Sequence, residues 1–285
     1  MDNLHFLAEV PSFCCADGSL DTEAVRLCIN RLIDGGYTHI AVAGIAGEYE
    51  NLTLSDQRAL VSCAVEAAAG RAAIAAGAFD AGTEKAAERI LEHRQLGCRL
   101  HLCIASHYFG LAHEDEFLRH MSVLRHADTG LLLLDSAAHT GFTLGQHALA
   151  QLAASGHAEA FICGTADPHR LSMLNALGNT IACEELALLG SGGINAVHSR
   201  LAFLFPHQIK HWAEISLPVR QALLSILDSS NHPASAVKYA AYLLNLCSCA
   251  SLFPPSCELT ADSKKAIEHA VLIAKEEEKR WIHVG

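Results

Sequence analysis

Short apolar runs alternate with helical segments along most of this 285-residue chain, and this alternation limits the available folds more than any other feature. The runs end in glycine or in polar turns, and the segments between them carry apolar residues three and four positions apart. Strands that are apolar throughout are buried on both faces, and one helix between successive strands implies that the strands run parallel. The pattern therefore predicts an α/β chain with a parallel sheet.

Eight such units close into a (β/α)8 barrel, also called a TIM barrel, which we predict over residues 1–216. The predicted strands are residues 8–11, 40–43, 72–76, 100–105, 131–134, 160–162, 180–182 and 193–196. The predicted helices between them are residues 22–33, 54–69, 83–96, 114–125, 144–154 and 167–177. Three further helical stretches, 217–227, 234–246 and 263–278, have no strands between them and predict a C-terminal helical region over residues 217–285.

Charge and composition exclude several classes of partner. The net charge is -11 and no Lys/Arg-rich run occurs, so we expect neither nucleic acid nor an anionic membrane surface as a partner. The first residues, MDNLHFLAEV, lack a basic leader with an apolar core, and no apolar stretch of about eighteen residues occurs. We therefore expect a cytoplasmic protein.

Eleven cysteines and eighteen histidines suggest a metal or disulfide framework, but their spacing does not support one. No Cys-x-x-Cys and no HExxH occurs, so we expect no metal and no cofactor, and most cysteines to be buried thiols. His101 and Cys103 alternate along the fourth strand and are expected to share one buried face. Catalytic groups of such barrels lie at the carboxyl ends of the strands.

Six segments of the sequence form a recognisable ordered set: "DGSLD" (17–21), "GIAGEYENLTLSDQR" (44–58), "GRAAIAAGA" (70–78), "GCRLHLCIASHY" (97–108), "HTG" (139–141) and "GSGGINA" (190–196). In these segments the chain resembles the dihydrodipicolinate synthase and N-acetylneuraminate lyase family of class I aldolases. Six segments in register make the resemblance specific. It implies the same barrel with a C-terminal helical region, a small carbonyl or carboxylate ligand, and a homodimer or homotetramer.

The resemblance also implies chemistry that this sequence does not carry. Members of the family form a Schiff base between a lysine on the sixth strand and the keto group of pyruvate or a related 2-keto acid. The family's I-K-E falls on Ile162, Cys163 and Gly164, and a thiol cannot form an iminium. Lys85 is the only lysine before Lys210, so no other lysine is available on a predicted strand.

Other functional positions of the family have changed as well. Its two threonines fall on Ile45 and Ala46, its tyrosine on Leu134, the asparagine that follows on Asp135, and its R-T-G arginine on His139. The second tyrosine of its P-Y-Y motif persists as Tyr108, whereas the first is His107. We predict Cys163, His139 and Tyr108 as catalytic candidates. The predicted pocket-lining residues are Ile45, Ala46, His107, Leu134, Asp135, Glu184 and Ile194.

Three functional hypotheses remain open from the sequence. The first is a diverged lyase in which Cys163 is a nucleophile or metal ligand, His139 or His107 an acid or base, and Asp135 or Glu184 its orienting group. The second is an inactive family member that acts by binding a ligand or another subunit. The third is a function unrelated to keto acids, because a barrel does not imply a reaction. A buried, inert Cys163 is the competing interpretation of that residue.

Overall fold

The fold is an eight-stranded parallel barrel with a helical C-terminal region, in a computed structural model of the protein. The structure describes residues 5–80, 82–104, 113–127, 130–136, 140–141, 143–156, 158–164, 167–177, 180–183, 196–230, 232–256 and 258–282. The strands are β1 His5–Glu9, β2 His39–Val42, β3 Ala73–Gly77, β4 Leu100–Ile104, β5 Gly130–Asp135, β6 Ala160–Cys163, β7 Thr180–Cys183 and β8 Ala196–Ser199. They pair in chain order into a closed barrel, which confirms the predicted fold class.

The nine predicted helices occur in the predicted order, and the short helix Pro206–Lys210 was not predicted. The helices are α1 Thr22–Asp34, α2 Leu54–Ala68, α3 Thr83–Gln95, α4 Glu114–Arg125, α5 Gln146–Ser155, α6 Pro168–Asn175, α7 Pro206–Lys210, α8 Leu217–Asp228, α9 Pro233–Leu243 and α10 Ala261–Ile282. A short 3-10 helix, Tyr49–Asn51, precedes α2. Side chains cap three of the starts: Asp21 accepts a hydrogen bond from the Ala24 N–H at α1, Thr53 forms a capping box with Asp56 at α2, and Asp167 accepts a hydrogen bond from the His169 N–H at α6.

The first and last strands lie elsewhere than predicted. β1 is His5–Glu9 instead of 8–11, because the buried apolar run continues through Phe13 after the strand has ended. β8 is Ala196–Ser199 instead of 193–196, and it continues through His198 and Ser199, which are polar but buried. An apolar run indicates which residues are buried, and at these two places the buried residues and the strand residues are not the same.

The chain forms two compact units, which comprise residues 1–7 with 73–199 and residues 8–72 with 200–285. Within the first unit, β3 to β8 pair in parallel, and α3 to α6 lie between them in the chain. Within the second, α1 packs on α2, and α10 packs on α7, α8 and α9. The Glu278 carboxylate of α10 accepts the backbone N–H groups of His207 and Gln208 at the start of α7. No helix in the described part of the chain is long and apolar enough to span a membrane.

One side of the β4–β6 strands packs against the helices of the first unit. Its core includes Cys103, Leu131, Leu133, Phe161 and Cys163 together with residues of α3, α4, α5 and α6. Alternate residues of a strand point to opposite faces of a sheet. Leu102, Leu134 and Ile162 therefore point to the barrel interior. His101 and Cys103 are fully buried, as predicted, and His101 lies on the helix-facing side because its ring stacks on His93 of α3.

The His93 and His101 rings form a buried stack with centroids 5.6 Å apart and an interplanar angle of 4°. Burial lowers the pKa of His93 to about 4 and that of His101 to about 3. Neither ring nitrogen of His93 has a hydrogen-bond partner among the described residues. Both rings are therefore neutral in the folded protein at neutral pH.

Acid should destabilise the fold through this histidine stack. Because the pKa of His93 is lower in the folded than in the unfolded chain, protons bind the unfolded chain first, and stability falls as the pH drops from about 6.5 towards 4. We expect this one side chain to account for about 2 kcal/mol of the loss in unfolding free energy between pH 7 and pH 5. Urea unfolding at several pH values measures it.

The variant His93→Leu should flatten this pH dependence, because the replacement is apolar and does not titrate. His147→Leu, which replaces an exposed histidine of α5, is the matched control and should leave the slope unchanged. An unchanged slope in His93→Leu would show that the buried stack does not titrate on unfolding.

Candidate active site

The ends of β5 and β6 present two different surfaces. In the parallel register, Leu134 lies beside Ile162, and Asp135 lies beside Cys163. Residues paired in this way project from the same side of the sheet. Leu134 and Ile162 therefore face the barrel interior, whereas Asp135 and Cys163 face the helices.

Cys163 is fully buried in the helix-facing core of the first unit. This core also contains Phe161 on the same strand and Leu171 and Leu174 of α6. A thiol in such a place is surrounded by packed side chains and does not reach the barrel interior. The geometry thus supports the buried interpretation of Cys163 over the nucleophile interpretation.

Asp135 forms a buried ion pair with Arg170 of α6. Nε and Nη2 of Arg170 each lie 2.5 Å from Oδ2 of Asp135, and Nη1 donates to the backbone carbonyl of Leu144. Burial raises the pKa of the Asp135 carboxyl, and the nearby guanidinium counteracts part of this increase. The pair joins the end of β5 to α6 and to the segment before α5, so Asp135 has a structural partner on the helix side.

The unit formed by residues 8–72 and 200–285 contains a buried polar contact at the turn that follows β2. The backbone N–H of Gly47 donates to Oε1 of the buried Glu9, at 3.1 Å. A Cβ on Gly44 would clash with the same oxygen, so a larger residue there would have to displace the Glu9 carboxylate. The turn from Gly44 to Glu48 is thus folded closely over a carboxylate, and Glu48 itself has a left-handed backbone with φ 51°.

The side chain of Glu48 forms an ion pair with Lys238 of α9, and both side chains are fully buried. Nζ of Lys238 also lies 3.5 Å from the carbonyl oxygen of Ser251 and 4.9 Å from the centre of the Phe253 ring. The side-chain amide of Asn51 donates hydrogen bonds to the Glu48 carboxylate and to the Ser256 hydroxyl. Glu48 therefore connects the β2 loop with the C-terminal helices.

The structure describes only part of the predicted site. Ala46 is buried, Ile45 is half-buried, and Leu134 is 3% exposed on the interior face of β5. Five predicted positions lie outside the described residues: His107, Tyr108, His139, Glu184 and Ile194. Sequence reasoning missed Arg170 and Lys238. A single lysine within the apolar segment "ASAVKYAAYLL" was the available signal for the second, because a buried lysine requires a partner.

A metal centre and a structural disulfide find no support in the part of the chain that the structure describes. No group of three or more His, Cys, Asp or Glu side chains there could hold a metal ion. The nine cysteines with described side chains form no disulfide, and six of them are buried. Burial raises the pKa of Cys98 to about 11 and that of Cys103 to about 12, which keeps both thiols protonated.

Comparison with known proteins decides the family. The family model described as the dihydrodipicolinate synthetase family matches residues 7–163, more than half of the chain. The chain belongs to the dihydrodipicolinate synthetase family. The match begins within β1 and ends on Cys163, so it includes β2 to β6 and the loops after the first five strands.

Individual relatives match almost the full length of this chain. A 4-hydroxy-tetrahydrodipicolinate synthase of Shewanella baltica is 24% identical over an alignment of 285 positions, which covers 93% of this chain and 95% of that protein. The structure of such a synthase from Methylacidiphilum fumariolicum SolV has a TM-score of 0.85 at 19% identity and covers 98% of both chains. YagE of Escherichia coli K12, solved in complex with pyruvate, has a TM-score of 0.85 at 18% identity and covers 96% of this chain and 98% of that one.

Removal of one partner of the Asp135–Arg170 pair should strongly destabilise the protein. We expect Arg170→Met to lower the unfolding free energy by about 3–5 kcal/mol, because it leaves a carboxylate buried without its counter-ion. The double variant Asp135→Leu with Arg170→Met should be no less stable than Arg170→Met alone. Guanidinium unfolding followed by circular dichroism measures both.

Arg119→Met is the matched control, because Arg119 is an exposed arginine on α4. It should change the unfolding free energy by no more than about 0.5 kcal/mol. A cost below about 1 kcal/mol for Arg170→Met would contradict a role of the pair in holding α6 against β5.

Proposed function

We propose that this member of the dihydrodipicolinate synthetase family binds a small keto-acid-type ligand in its barrel without forming a Schiff base. The observation that carries the proposal is the distribution of lysines. The chain has lysines only at positions 85, 210, 238, 264, 265, 275 and 279, and none of these positions lies on a strand. An iminium with a keto acid requires an amine at the substrate, so the defining step of the family has no nucleophile here.

The strand register supports a revised position for the missing lysine. The lysine and the strand-five tyrosine of the family act on the same substrate, so their side chains must project from the same face. The tyrosine corresponds to Leu134, whose neighbour on the same face is Ile162, whereas Cys163 projects from the other face. We therefore assign the lysine position to Ile162, one residue before the position that the I-K-E motif suggested. Isoleucine cannot form an iminium either.

The apolar pair of Leu134 and Ile162 favours the second hypothesis, an inactive member that acts by binding a ligand or another subunit. Side chains with no titratable group cannot relay a proton at this point of the barrel. Catalysis by Cys163, His139 and Tyr108 stays a prediction, and the burial of Cys163 among α6 residues weighs against its part in it. The cytoplasmic location and the homodimeric or homotetrameric state also stay predictions.

Reductive trapping tests the proposal. The purified protein is incubated with pyruvate and sodium borohydride, and its intact mass is measured. We expect no increase in mass, because no amine reaches the ligand. A synthase of the family that carries the strand-six lysine serves as the positive control and should gain one reduced pyruvate.

A reduced adduct on any lysine of this chain would overturn the proposal. Calorimetric titration with pyruvate then separates binding from complete loss of the site. Saturable binding without turnover is the expected result. Cleavage or condensation of a keto acid by the unmodified protein would instead favour the diverged lyase.

A further inference from the structure

Four cysteines gather where the loop after β1 meets the segment between α9 and α10. Cys14 and Cys15 belong to the loop, and Cys247 and Cys249 belong to the segment. All four lie in the compact unit of residues 8–72 and 200–285, and all four are reduced in the structure. Because the two stretches are far apart in the sequence, only the folded chain brings these thiols together.

Hydrogen bonds from two of the thiols connect the loop with the segment. The Cys249 thiol donates to the backbone carbonyl of Cys14 at 2.9 Å, and the Cys14 thiol donates to the backbone carbonyl of Ser251 at 3.1 Å. Each of these sulfur atoms is therefore directed at the opposite stretch of chain. The Cys247 thiol differs, because it donates at 3.1 Å to the Cys249 carbonyl of its own segment. A disulfide requires two cysteines on closely facing backbones, and Cys14 and Cys249 meet this condition.

The two thiols differ in their access to solvent and in the charge beside them. Cys249 is half-buried, whereas Cys14 is 1% exposed, so a small oxidant in solution reaches Cys249 first. The Ser251 carbonyl that accepts the Cys14 thiol also lies 3.5 Å from Nζ of Lys238. Burial raises the pKa of Cys14 to about 11, and the positive charge of Lys238 opposes part of this increase. Cys14 is thus suited to react with an oxidised neighbour and not with solvent.

We propose that Cys14 and Cys249 form a reversible disulfide when the protein is exposed to a peroxide. The Cys249 sulfur attacks one oxygen of hydrogen peroxide, the O–O bond breaks, and a sulfenic acid and one water are formed. The Cys14 sulfur then attacks the Cys249 sulfur, the S–O bond breaks, and a second water leaves with the remaining thiol proton. The two thiols lose two electrons, and the peroxide gains them.

This disulfide would connect positions that are 235 residues apart and would join the loop after β1 to the segment that follows α9. A bond that a reductant can reverse is typical of thiols that sense oxidants in a reducing compartment. The proposal is independent of the ligand that we propose for the barrel.

Peptide mapping of the full chain tests the pair. The protein is treated with hydrogen peroxide, the remaining thiols are blocked with iodoacetamide, and the protein is digested without reductant. We expect a linked pair of peptides that contain Cys14 and Cys249, and dithiothreitol should separate them. Cys14→Ser and Cys249→Ser should each abolish the link. The matched controls Cys15→Ser and Cys247→Ser, which remove the neighbouring thiols, should retain it.

Thermal unfolding followed by circular dichroism separates loss of the link from loss of the fold. The reduced serine variants should keep the spectrum of the unmodified protein, because a serine hydroxyl can donate to the same carbonyl groups. The oxidised protein should unfold at least about 5 °C above the reduced protein, because the bond closes a long loop. Cys247→Ser should show the same increase.

Mapping of the unmodified protein decides the proposal by itself if a variant fails to fold. A link between Cys247 and Cys249 in place of the expected one would overturn it. So would a link that persists in Cys249→Ser, or oxidation of Cys249 to a sulfinic or sulfonic acid without any linked peptide. A chain that peroxide leaves fully reduced would also contradict it.

Discussion

The two-faced geometry of the parallel strands is the constraint on which the rest of this structure depends. Each strand must supply one row of side chains to the barrel interior and one row to the helices, so a single position in register decides which chemistry a residue can perform. At the end of β6, Ile162 belongs to the interior and Cys163 to the helix-facing core. The thiol packs among the helices, and the interior position to which we assign the family's lysine is apolar.

Buried ion pairs hold strand ends to helices in both compact units. Asp135 and Arg170 connect β5 with α6, and Glu48 and Lys238 connect the β2 loop with α9. Charges of this kind are costly to bury and become strongly destabilising when one partner is lost. The fold therefore requires these ion pairs whether or not the protein turns over a substrate. A family member without the Schiff-base lysine, as we propose this chain to be, still requires them for its fold.

The alternation of short apolar runs with helical segments was sufficient to predict the barrel, the order of its strands and most helix bounds. It predicted the wrong bounds for β1 and β8, because the apolar residues there are not the same residues that pair as a strand. The site was less accessible to prediction, because a motif alignment fixes a residue only to within one position, and one position reverses the face. Partners distant in sequence, such as Lys238 for Glu48, come together only in the folded chain.

The assignment of the interior position is tested most directly by placing a lysine at each of the two neighbouring residues. Ile162→Lys and Cys163→Lys are each treated with pyruvate and borohydride, and peptide mapping locates any adduct. We expect Ile162→Lys to gain one reduced pyruvate at residue 162, because its amine enters a desolvated interior that lowers the pKa of a lysine. Cys163→Lys should gain none. Trapping at residue 163 with none at residue 162 would contradict the account.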